Sequence, residues 1–132
     1  MTGLERDLFD AINSERAERG LSELAAHDCG THIARLRASD MASRSYFSHT
    51  SPDGVTMSSL LGRYGVPYSR AGEDLARNNY PYDRTVAVAA SSFMESDAHR
   101  AIILDPAYTH LGVGFADDGS GTKYYALIFI GF

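Results

Sequence analysis

Leu111-Gly112-Val113-Gly114-Phe115-Ala116, then Asp117-Asp118-Gly119-Ser120-Gly121, then Lys123-Tyr124-Tyr125-Ala126-Leu127-Ile128-Phe129-Ile130-Gly131-Phe132: the reading of this stretch decides the fold class. In its first part large apolar residues alternate with small ones, the period of a strand whose successive side chains point to opposite faces. The middle is a polar, glycine-rich turn, and the last part is a long aromatic and β-branched run. Together they predict an antiparallel hairpin. Gly112 and Gly114, alone inside a strand, indicate close backbone packing rather than a nucleotide loop.

Outward from the hairpin, the preceding chain reads mainly as helix. Thr2-Gly3-Leu4-Glu5 has the pattern of a capping box, Leu4, Leu8, Ala11 and Ile12 follow at helical spacing, and Gly20 ends the segment. A second helix is expected from His27 to Arg44, burying Cys29, Ile33, Leu36 and Met41 and turning Arg35, Arg37 and Arg44 to water. Ser51-Pro52-Asp53-Gly54 is a turn, Met57 to Tyr64 a short helix stopped by Gly65, and Gly72 to Arg77 a first strand. Asp83 is expected to cap a helix that buries Val86, Ala89, Ala90, Phe93 and Met94, and His99 to Leu104 to add one more turn after a break at Asp97. Helices first and a hairpin last give the α+β class, with helices on both faces of a small antiparallel sheet. The 132 residues suit one domain, without repeat or linker.

Composition narrows the function. The net charge is −5 and the pI about 5.4, and the arginines alternate with acids instead of forming a basic stripe, so nucleic acid is not the expected partner. No apolar run is long enough to span a membrane, and no charged start followed by an apolar stretch marks a signal peptide. Cys29 is the only cysteine, which excludes an internal disulfide and suits a small core residue.

The five histidines are not equivalent. His27, His32 and His110 read as packed or surface residues, and Cys29 with His32 is an incomplete zinc set. His49 follows Tyr46-Phe47-Ser48 and precedes the 51–54 turn, while His99 lies in the break after the Phe93 helix. Loops seated on rigid elements are where functional side chains concentrate. Glu73, between Gly72 and Asp74-Leu75, has two readings: a site carboxylate or an exposed strand-end acid. Separations of 24 and 26 residues among these three fit no local metal motif, and no phosphate loop or nucleophile elbow occurs.

Several blocks, in order, carry a resemblance that spans nearly the whole chain. They are Asn13-Ser14-Glu15-Arg16 with Gly20 to Leu24, Asp40-Met41-Ala42 through Tyr46-Phe47-Ser48-His49-Thr50-Ser51-Pro52-Asp53-Gly54, Gly72-Glu73-Asp74-Leu75-Ala76, Met94-Glu95-Ser96 with His99-Arg100, and Leu111-Gly112-Val113-Gly114. In this arrangement the sequence resembles the SCP-like domains of the CAP superfamily (cysteine-rich secretory, antigen 5 and pathogenesis-related 1 proteins). The resemblance implies an α-β-α sandwich over residues 1–132 with a large cleft lined by two histidines and one or two glutamates. The matching positions are His49, Glu73 and His99. It also implies a secreted or cell-surface location, and, for some members, zinc held by the two histidines or a bound lipid. Four positions depart from the family pattern. Ser96 stands where the second glutamate is expected, with Glu95 one place early and about 100° away around the helix. Phe93 replaces a tryptophan, and Asp74 and Ile102 replace asparagines.

The leading expectation is therefore a monomeric extracellular binding module. His49 and His99 would hold a divalent ion such as Zn²⁺, and Glu73, with Glu95 as a further candidate, would complete a site for a lipid, glycan or peptide. Tyr80 and Tyr82 are candidate rim residues. One alternative is a metal-dependent hydrolase or peptidase with Glu73 as general base, or a metal-free one activating Ser48 or Ser96. Another is an interaction scaffold whose site is vestigial.

Overall fold

The computed structural model describes residues 1–132. Helix α1 (Gly3–Glu18) begins after Thr2, whose backbone N–H donates to the Glu5 carboxylate at 2.7 Å. A two-residue strand β1 (Ala25–Ala26) leads into α2 (Asp28–Arg44), where His27 rather than a helical residue forms the N-cap, its Nδ1 accepting from Gly30 N–H at 2.9 Å. Then come α3 (Met57–Arg63), β2 (Arg70–Asn78), α4 (Thr85–Glu95), α5 (Asp97–Ile103) and the hairpin strands β3 (His110–Asp117) and β4 (Lys123–Gly131).

The four strands form one sheet in the order β1-β3-β4-β2. The hairpin pairs antiparallel, β2 adds antiparallel to β4 with Glu73 opposite Ile128, and only the short β1 runs parallel to its neighbour. One face carries α1, α4 and α5 over a core that includes Phe93, Leu127 and Phe129. The other carries α2 and α3 over Ile33, Met41, Leu61 and Ile128. β4 is buried on both sides along its whole length, which is why its sequence runs apolar without alternating. The architecture is the α-β-α sandwich.

Gly112 and Gly114 account for how α2 sits. A Cβ on Gly112 would lie 2.1 Å from the Gly30 carbonyl carbon, and one on Gly114 2.2 Å from that of Ala34. The α2 backbone therefore rests directly on β3. This contact rotates the helix relative to the expected stripe. Small residues (Gly30, Thr31, Ala34, Ala38) join Ile33 and Met41 at the sheet, Leu36 moves to the surface and Cys29 is only half-buried. Arg37, expected in water, is 1% exposed.

Other boundaries shift for local reasons. β2 extends three residues beyond the expected Gly72–Arg77, because its register with β4 continues from Arg70 to Asn78. Arg84, not Asp83, precedes α4, after a turn closed by backbone bonds from Arg84 and Thr85 to the Pro81 carbonyl. Asp97, where a break was expected, is the first residue of α5 and pairs with Arg100 at 2.6 Å. The buried Arg16 donates to the carbonyls of Ser22, Ile103 and Asp105, fixing the C-terminal end of α5 to α1.

Candidate functional site

The site is built around β2, the edge strand of the sheet, which pairs with β4 on one side only. Alternation along β2 sends Glu73 and Leu75 toward α2 and α3, and Asp74 and Ala76 toward α4 and α5. Side chains from both helical layers thus approach this edge.

On the α2 side, the helix ends at Ser45 in a left-handed conformation (φ 56°), which turns the chain sharply back. The following loop is braced. Ser51 N–H donates to Val55 O at 2.9 Å, Val55 N–H to Ser51 Oγ at 2.8 Å, and Gly54 takes φ 87°. His49 is carried by this loop. Its imidazole is 63% exposed, and its Nδ1 lies 2.7 Å from Glu73 Oε1.

Glu73 is not the exposed strand-end acid of one reading: its side chain is 4% exposed. It accepts from Arg37 Nε at 2.9 Å and Nη2 at 3.4 Å. Arg37 also donates from Nη2 to Ser48 O at 2.6 Å and from Nη1 to the Tyr46 hydroxyl at 3.1 Å, and that hydroxyl donates to Asp40. Burial opposes the Arg37 cation, but the bonds and charge of Glu73 outweigh it and hold its pKa above the ordinary value. Burial, with the bond to Asp40, pushes the Tyr46 phenol up to about 12. A depression of about 230 Å³ beside the pair is lined by His49, Thr50, Thr56, Met57, Ser58 and Glu73.

His99 comes from the opposite layer, on α5. It is half-buried, stands edge-on to Phe93 with ring centroids 5.6 Å apart, and makes no side-chain hydrogen bond. Its pKa is lowered by burial and by the nearby His49 imidazole, so it is neutral at pH 7. Asp74, next to Glu73 in the chain, is fully buried and neither carboxyl oxygen has a hydrogen-bond partner. Burial and the charge of Glu73 push it up to about 8. Below that pH it is a neutral acid, close in shape and charge to the asparagine that the resemblance implies at this position.

His49 and Glu73 are thus in direct contact, and His99 lies near His49 without bonding either. Glu95 is exposed on α4, where it accepts from Ser91 Oγ at 3.4 Å and touches none of the other three. Tyr82 donates to Asp117 at the hairpin turn and Tyr80 stacks on Arg84, so both tyrosines are engaged at the end of the sheet marked by Asn78 and Lys123. No three His, Cys, Asp or Glu side chains converge on a metal-sized position. Outside the site, His27 and His110 have ring centroids 5.7 Å apart, but the Gly30 bond occupies His27 Nδ1. Sequence reasoning missed Arg37. The signal was its spacing, four residues from Ile33 and four from Met41, which places it on the buried stripe.

Comparison with known proteins adds the following. A model of the cysteine-rich secretory protein family (CAP) matches residues 9–130. The Bacillus subtilis protein YkwD is 31% identical over 120 residues, covering 91% of this chain and 45% of its own length, so the chain spans less than half of that relative. The crystal structure of an extracellular SCP-domain protein from Bacillus anthracis superposes with a TM-score of 0.87 at 31% identity, over 98% of this chain and 41% of that one. NaASP2 with Zn²⁺ superposes with a TM-score of 0.70 at 13% identity, over 98% and 80%, a likeness of fold alone.

Proposed function

The chain belongs to the cysteine-rich secretory protein (CAP) family, and from that premise we propose that it is an extracellular binding module whose His49 and His99 hold a divalent metal ion such as zinc in a cleft at the β2 edge. The observation that carries the reading is the 2.7 Å bond between His49 Nδ1 and a Glu73 carboxylate that Arg37 immobilises. A carboxylate oriented in this way on one imidazole nitrogen is the arrangement that metal-binding histidines use, because it fixes the ring and raises the basicity of the other nitrogen. His99 adds a second imidazole that burial keeps neutral, as a ligand must be.

Both Glu73 oxygens are engaged by Arg37 and His49, so Glu73 orients rather than ligates. Bound zinc with only two protein ligands keeps open positions, and these would take an anionic group of a peptide, glycan or lipid. The extracellular character of the Bacillus anthracis relative supports the location, and zinc in NaASP2 supports the ion within the limits of a shared fold.

The test is a calorimetric Zn²⁺ titration of metal-stripped protein at pH 7.5. Saturable 1:1 binding is expected, lost in His49→Ala/His99→Ala and weakening in acid, because imidazole ligands must be deprotonated. Binding unchanged in the double variant, or none at all, would return the family cleft to an interaction surface without an ion.

A further inference from the structure

We infer that Arg37 is a positioning residue of this site: its guanidinium ties the Glu73 carboxylate and the Ser48 carbonyl to one rigid fork and so sets His49 in the Nδ1–H tautomer, with Nε2 presented outward. A guanidinium only donates, so the Tyr46 hydroxyl must accept from Nη1 and spend its own proton on Asp40. Nε and Nη2 face Glu73, and Nη2 also reaches Ser48 O, the residue just before His49. Both Glu73 oxygens thereby face the guanidinium, and a carboxylate only accepts. The 2.7 Å bond to His49 must then be donated by His49 Nδ1–H. A neutral imidazole has one N–H, so the lone pair is on Nε2.

Arg37 therefore acts on His49 twice, through the backbone at Ser48 and through the proton on Nδ1. A lysine could supply the charge that holds Glu73 in place, though not the planar fork that also reaches the Ser48 carbonyl. The inference rests on reading His49 as the site's working imidazole, yet it concerns the metal-free protein, so it can fail while zinc binds, or hold while zinc does not.

The experiment is a long-range ¹H–¹⁵N correlation spectrum of the histidine rings in ¹⁵N-labelled, metal-stripped protein at pH 8, where an ordinary imidazole is neutral. In the wild type, His49 is expected to show a protonated Nδ1 and a pyridine-type Nε2. In Arg37→Gln nothing holds the Glu73 carboxylate and the Ser48 carbonyl in line with the ring, so the Nδ1–H form is expected to give way to the Nε2–H form that a free imidazole favours, with the rings of His27 and His110 unchanged. Arg37→Lys is expected to retain Nδ1–H, since an ammonium still faces Glu73. A wild-type spectrum showing Nε2–H overturns the inference, as does Nδ1–H persisting unchanged in folded Arg37→Gln. Should Arg37→Gln fail to fold, the wild type and Arg37→Lys still decide: Nε2–H in either one overturns it.

Discussion

Glu73 and Asp74 are consecutive carboxyl groups with opposite fates, because a strand sends them to opposite faces. Glu73 meets a guanidinium and Asp74 meets none. Removing the Glu73 charge leaves Arg37 as a buried, unpaired cation. Glu73→Gln is therefore expected to destabilise the fold by about 3–5 kcal/mol, measured by urea denaturation, and a loss below about 1 kcal/mol would contradict the pairing. Asp74 has a raised folded-state pKa, about 8, against ~3.9 unfolded. The folded state then binds more protons in this window, so stability is full below pH ~4 and is lost as pH rises through about 8, by up to about 1.4 kcal/mol per unit. Asp74→Asn, which has no charge to bury, is expected to flatten the slope between pH 5 and 8. Denaturation midpoints at several pH values check this, and parallel curves for the two proteins would rule it out.

At the scale of elements, the seat of α2 on β3 decides which residues reach the site. The hairpin and the close packing of Gly112 and Gly114 were legible in the sequence, because period two and lone strand glycines have few other meanings. The orientation of α2 was not. Hydrophobicity assigned Leu36 inward and Arg37 outward, whereas backbone contact with the glycines places small residues at the sheet and leaves Arg37 to meet Glu73. A cation on a buried stripe is expected only when its partner is known, and that partner is 36 residues away in sequence. Gly112→Ala tests the seat. The new methyl would meet α2 backbone atoms that cannot rotate aside, so a loss of about 3 kcal/mol is expected, with changed α2 amide shifts. Wild-type stability in this variant would show that α2 has slack.

Across the whole molecule, the site exists because β2 is an edge strand of the sheet and both helical layers reach it, α2 with its loop from one side and α5 from the other. The α-β-α layering was readable from the order of helices and hairpin together with the family resemblance. Which histidines approach each other was readable only from the resemblance, since separations of 24 and 26 residues leave no local trace. The central claim is a two-histidine metal position oriented by Glu73. Anomalous diffraction at the zinc edge, from crystals of zinc-loaded protein, addresses it most directly. The account predicts a single strong peak about 2.0–2.1 Å from His49 Nε2 and from a His99 nitrogen, with His49 Nδ1 still on Glu73. A peak at His27 and His110, or one bonded to His49 Nδ1 with Glu73 displaced, would contradict it.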